Sequence, residues 1–93
     1  METQNDVIVA VGQVSEKLAA SKFVVGAKQL RKALKNGKAR CVYLACNADP
    51  AITEPIEALC QLNKVEIAWV RSMTELGHAC GIEVGAAAAA TID

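Results

Sequence analysis

Short apolar runs alternate with amphipathic stretches along this 93-residue chain, and that alternation restricts the fold most. Phe23-Val24-Val25 is a short strand candidate. Residues 41–46 (Cys-Val-Tyr-Leu-Ala-Cys) and 65–70 (Val-Glu-Ile-Ala-Trp-Val) read as two more, the first of them buried. Helical spacing fills the gaps. Val7, Val11, Val14, Leu18 and Ala19 predict a first helix, and Ala27, Leu30, Ala33 and Leu34 make the stripe of a second. Gly26 opens that second helix and Asn36-Gly37 stops it. Asp49-Pro50 reads as a turn, with Thr53 capping a third helix and Pro55 tolerated in its first turn. Ile56, Leu59, Cys60 and Leu62 would be that helix's buried side. Ser72-Met73-Thr74-Glu75 fits a capping box for a short fourth helix running to Cys80. Strands separated by helices predict an α/β/α sandwich, and the length suits one domain over residues 1–93.

Ala86 to Ala90 is a conflict. Five alanines favour helix by propensity. Gly85 before them and Thr91-Ile92 after them leave little room for a capped helix, whereas a strand of small residues lets helices pack close on both sides. Local pattern leaves the choice open.

The charges are segregated. Lys17, Lys22, Lys28, Arg31, Lys32, Lys35, Lys38 and Arg40 follow one another with no Asp or Glu between Glu16 and Asp49, although the net charge is zero. Such a segment is a natural place for an anion, and RNA is the obvious one, because Lys and Arg release its condensed counterions. The plainer alternative is a solvated helix face. Phe23, Tyr43 and Trp69 are too few aromatics for the stacking platform of a single-strand binder. No apolar run reaches the length of a membrane span, and the first residues lack a secretory pattern. Cys41, Cys46, Cys60 and Cys80 form no C-x-x-C pair, so no metal site is expected, and their apolar surroundings predict buried, reduced thiols. His78, the lone histidine, has no nucleophile at a recognised spacing, and neither phosphate-loop pattern occurs. No constellation supports an enzyme, a cofactor or a small-molecule substrate.

Three motifs carry a resemblance. Gly26-Ala27-Lys28-Gln29-Leu30-Arg31-Lys32 stands at a strand-to-helix junction, Ala45-Cys46-Asn47-Ala48-Asp49-Pro50 follows the next strand, and residues 76–85 read Leu-Gly-His-Ala-Cys-Gly-Ile-Glu-Val-Gly. Together they resemble the superfamily of ribosomal proteins L7Ae, L30e and S12e over residues 23–92. The resemblance implies a three-layer α/β/α sandwich with a four-stranded mixed sheet, in which the alanine run is the last strand. It also implies binding of RNA, typically of the kink-turn, by a cytoplasmic, ribosome-associated protein with ribosomal proteins among its neighbours. By similarity, Lys28, Gln29 and Lys32 match the residues that reach guanine edges of tandem sheared G·A pairs. Gly26 offers the start of their helix, and Arg31 and Lys35 add charge. Ile82, Glu83 and Val84 match the loop that covers a flipped-out nucleotide; the alternative is a lead-in to the next strand with Ile82 or Val84 in the core.

Departures from the superfamily pattern are visible. Lys28-Gln29 stands where kink-turn binders usually carry Asn-Glu, and resembles the bacterial branch. His78 stands where relatives often carry Lys or Arg, and Asn47 replaces a common acidic residue. Asn47 and Ala58-Leu59-Cys60 look more like the S12e branch, whose ribosomal RNA contacts need not be a kink-turn. A protein-interaction module on the same fold is the remaining alternative.

Overall fold

Four of the five strands in this computed structural model run parallel, and the fifth runs against them. The structure describes residues 8–92. In chain order the elements are β1 (Ile8–Val9), α1 (Val11–Ala19), β2 (Lys22–Val25), α2 (Ala27–Lys35), β3 (Ala39–Ala45), α3 (Pro50–Asn63), β4 (Glu66–Val70), α4 (Met73–Ala79) and β5 (Ala88–Ile92). The sheet order is β1-β4-β3-β5-β2. The strands β4-β3-β5-β2 are the expected mixed four-stranded sheet, and the two-residue β1 extends it beside β4.

That short strand corrects the expected start of the first helix. Ile8 and Val9 pair with Trp69 and Val70, so α1 begins only at Val11. Val7 lies outside the described residues. Val14 and Leu18 are buried as their spacing requires, whereas Ala19 is exposed.

Side chains alternate along each strand, so the central strands feed two cores. Tyr43, Ala45, Val70 and Ala89 pack with Val14 and Leu18 of α1 and Leu76 of α4. Val42, Leu44, Ala88 and Ala90 pack with Leu30 and Leu34 of α2 and Ile56 and Cys60 of α3. Ala88 to Ala90 of the alanine run are therefore part of a strand buried on both faces, as the resemblance implied, and Ala86 and Ala87 lead into it. Only small side chains fit, since helices press on it from both sides. Propensity for helix loses here to ladder pairing with β2 and β3.

The third helix starts earlier than expected. Asp49, not Thr53, is its cap: the Asp49 carboxylate accepts from the Ala51 N–H at 2.9 Å, and Pro50 takes the first helical position, where its missing N–H costs nothing. Thr53 is buried inside the helix. Pro55 also falls inside rather than in the first turn, and it leaves the Ala51 carbonyl without an intrahelical donor. Both residues are exposed, so that carbonyl lies where solvent can reach it. Ile56 and Cys60 are buried and Leu59 is half-buried, but Leu62 is 78% exposed. At about 100° per residue Leu62 stands roughly 240° around the helix from Ile56, on the outer side.

The two cores set a test. Ala89→Leu adds three carbon atoms to a strand with no room and is expected to cost about 1–3 kcal/mol. Leu62→Ser is expected to stay within about 0.5 kcal/mol of the parent. Urea unfolding of the two variants measures both.

Candidate nucleic-acid interface

The carboxyl ends of the parallel strands β2, β3 and β4 share one edge of the sheet with the start of the antiparallel β5. Short hydrogen bonds stitch that edge together. Gly26 donates its N–H to the Ala88 carbonyl at 2.9 Å, Ala45 to Ala87 at 3.0 Å, and Cys46 to Val70 at 2.8 Å. In open sheets of this kind the carboxyl edge is where ligands usually bind. Helices α2, α3 and α4 all begin there.

Gly26 is the hinge between β2 and α2. Its φ of 103° turns the chain in a way an L side chain rarely allows, and its carbonyl accepts from Leu30 N–H to start the helix. Once α2 is fixed, its residue spacing decides the rest. Leu30, Ala33 and Leu34 are buried against the sheet and α3. Lys28, Arg31, Lys32 and Lys35 stand at i, i+3, i+4 and i+7, which puts them on one face about 100° wide, and all are exposed. Gln29 is exposed to one side of that row. A shallow groove of about 450 Å³ runs beside Lys28, Arg31, Lys32, Lys35 and Asn36. Lys32 and Lys35 also occupy the last turn, where positive charge offsets the helix dipole. That local role is worth only about 0.3–1 kcal/mol each and does not account for Lys28 at the opposite end.

The loop after α4 reaches the same edge. Ser72 Oγ accepts from the Glu75 N–H at 3.1 Å, the expected half of the capping box. Asn47 Oδ1 accepts from the Met73 N–H at 2.8 Å, so an amide oxygen holds the start of α4 where an acid is common. At the far end of α4, Gly81 donates to His78 at 3.0 Å and Ile82 donates to Gly77 at 3.1 Å, closing a Schellman turn. The chain then folds back over α4. A Cβ at Gly77 would overlap the Val84 carbonyl oxygen, so that close approach requires this glycine, and a Cβ at Gly85 would crowd Met73. Ala86 donates to the Met73 carbonyl at 3.0 Å, which fixes the return path.

Fixed in this way, the loop turns its apolar side chains outward. Ile82 is 38% exposed and Val84 70%, so neither belongs to the core, and the strand lead-in alternative is excluded. Thr74, His78, Ile82, Glu83, Val84 and Gly85 surround a depression of about 400 Å³. The loop then runs through Gly85 and Ala86 to Ala88, the residue that holds Gly26. The Gly26–Ala88 hydrogen bond thus links the start of α2, which carries Lys28, Gln29 and Lys32, to the strand that follows Ile82, Glu83 and Val84, while Arg31 and Lys35 lie further along the helix.

A larger open cleft of about 720 Å³ lies between α1 and the strands β3 and β4, where Gln13, Glu16, Lys17, Cys41, Tyr43 and Glu66 meet. Lys17 stands among carboxylates there and is separate from the cationic row of α2. Among the described residues no group of three or more His, Cys, Asp or Glu side chains is arranged to hold a metal ion.

Residues 10–93 match the ribosomal protein L7Ae/L30e/S12e/Gadd45 family. The chain belongs to this family. It is 48% identical over 71 residues to an RNA-binding protein of Bacillus pumilus (strain SAFR-032), covering 76% of this chain and 87% of that protein. It is 45% identical over 75 residues to RNA-binding protein YbxF of Geobacillus stearothermophilus, covering 81% and 92%. Among solved structures, the Giardia lamblia 15.5kD RNA binding protein superposes with a TM-score of 0.82 over 100% of this chain and 84% of that one. At 22% identity that likeness speaks for the fold.

The cysteines divide by place. All four are free. Cys60 and Cys80 are buried, and burial pushes the Cys60 thiol up to about 11 and the Cys80 thiol upward. Cys41 is half-buried, and burial raises it too, against a smaller opposing effect of its hydrogen bond with Tyr43. Cys46 is exposed just past the end of β3, contrary to the expectation that all four are buried. With a disulfide reagent at pH 8 one thiol, Cys46, is expected to react rapidly and the others only slowly or on unfolding; two or more fast thiols in the folded protein would contradict this arrangement.

Proposed function

We propose that this protein is a non-catalytic RNA-binding protein that recognises and holds sharply bent RNA of the kink-turn type. Its setting is a ribosome or another ribonucleoprotein of the cytoplasm, with ribosomal proteins as neighbours. The observation that carries the reading is the Gly26–Ala88 hydrogen bond, which joins the cationic start of α2 to the strand fed by the exposed apolar loop. The names of the relatives support it, since those proteins are called RNA-binding.

The residue types suit that ligand. An ordinary RNA major groove is too deep and narrow for side chains. A sharp bend opens it and presents guanine O6 and N7 as acceptors. Lys28 and Lys32 donate from ammonium groups, and Gln29 donates or accepts through its amide. An ammonium is a point charge, so Lys28 discriminates bases less than a planar amide does. The α2 N-terminus adds free N–H groups near Gly26 for a phosphate. Ile82 and Val84 offer apolar area to an unstacked base, and Glu83 between them can accept from its exocyclic amine. His78 stands exposed beside that loop.

Bending crowds phosphates, which makes the cationic row of α2 more useful to bent RNA than to straight RNA. Lys28→Ala and Lys32→Ala are each expected to weaken binding to a kink-turn RNA and to lower the salt slope by about one for each phosphate no longer held. Filter binding across a salt series, with an unbent duplex as control, measures both. Parent-like affinity and slope in both variants would refute these roles. Equal, weak binding of the parent to both RNAs would favour a protein-interaction module instead.

A further inference from the structure

The cleft between α1 and the sheet plays no part in the RNA reading. It lies against Cys41 and Tyr43 of β3 and the first residues of β4, Glu66 to Ala68, away from the carboxyl edge where α2, α3 and α4 begin. Its floor is apolar. Val14 and Tyr43 are buried there and Ala68 is half-buried. The Tyr43 hydroxyl is engaged with the Cys41 thiol. One wall is polar backbone. Ile67 packs its side chain against the other core yet lines the cleft, so it does so through its main chain. β1 pairs with β4 only at Trp69 and Val70, so among the described residues Ile67 has a strand neighbour on one side only. The rim is charged. Glu16 and Lys17 stand on α1 and Glu66 on β4, and all three side chains are exposed. Lys17 and Glu66 act on the Cys41 thiol in opposite senses, so both charges converge on the same floor.

We infer that this cleft binds a small amphoteric molecule of the hydrophobic dipeptide class, with a free ammonium, a free carboxylate and apolar side chains. Each part of the lining answers one part of such a ligand. Glu16 and Glu66 take the ammonium and Lys17 takes the carboxylate, through charge-assisted hydrogen bonds. Main-chain groups at Ile67 suit the ligand's peptide group, in the way an edge strand accepts a further strand. Val14, Tyr43 and Ala68 suit its apolar side chains. The volume of about 720 Å³ lies inside the usual range of small-ligand sites, roughly 300–1,000 Å³. A phosphate group would meet two carboxylates against one ammonium, and an uncharged apolar ligand would leave all three rim charges unused. An internal stretch of a protein chain carries neither terminus, so the pairing of both charges selects a free short peptide. This assignment is independent of the RNA reading.

Three synthetic probes provide the test: valyl-phenylalanine, its N-acetyl form without the ammonium, and its C-terminal amide without the carboxylate. The protein is titrated with each while its backbone amide resonances are followed. Valyl-phenylalanine is expected to bind saturably and to shift residues 13–17, 41–43 and 66–68. Blocking either end is expected to weaken binding by up to about fivefold, the worth of one exposed ion pair. The double variant Glu16→Gln/Glu66→Gln is expected to bind the free and N-acetyl probes alike, and Lys17→Met to bind the free and amide probes alike. These side chains are exposed, so the variants keep the parent's fold, which the unshifted remainder of the spectrum checks. No saturable binding of valyl-phenylalanine, equal binding of all three probes by the parent, or shifts confined to other residues would overturn the site. So would variants that keep the parent's preferences. None of these results bears on the binding of bent RNA.

Discussion

A strand of alanines sits at the physical centre of this molecule. Ala88 and Ala90 face α2 and α3, Ala89 faces α1 and α4, and all three are fully buried. Because these side chains are so small, helices approach β5 from both sides, and β5 in turn ties β2 to β3. Everything at the carboxyl edge follows from that placement. The Gly26 N–H finds its acceptor at Ala88 because Val25 is already in register with Ala89. The residues before Ala88 must therefore come up beside the start of α2. A larger residue in β5 would spread the layers and move these two segments apart.

Charge is organised by the same constraint. In the sequence the cations form one block from Lys17 to Arg40, but the fold divides it. Lys17 turns to the cleft between α1 and the sheet, beside Glu16 and Glu66. Lys28, Arg31, Lys32 and Lys35 stay together because helical spacing aligns them while the opposite stripe is buried. A molecule of zero net charge thus keeps one cationic face, and a local field of that kind steers an anion even when the global charge does not.

Much of this is legible in the sequence, and the departures have local causes. The runs at 23–25, 41–46 and 65–70 mark the cores of β2, β3 and β4, because β-branched and apolar clusters between breakers leave little choice. The stripe of α2 and the Ser72 cap are equally plain. Asp49-Pro50 suits a turn and a helix start alike, and only the geometry of the Ala51 N–H shows it to be a cap and first helical position. Leu62 belongs in a core by its chemistry and outside by its helical angle, and the angle wins. Residues 86–90 are undecidable locally, since ladder pairing with β2 and β3 is long-range. The candidate site is legible as residue types, whereas its assembly depends on one hydrogen bond between residues 62 positions apart, Gly26 and Ala88.

The meeting of those two segments on one ligand is most directly tested by following the backbone amide resonances during titration with a kink-turn RNA. Residues 26–32 and 81–88 are expected to shift together, with the same midpoint, while the outer face of α3 around Leu62 stays unchanged. Shifts confined to one segment, or centred on the cleft lined by Glu16, Cys41 and Glu66, would contradict a shared grip on bent RNA.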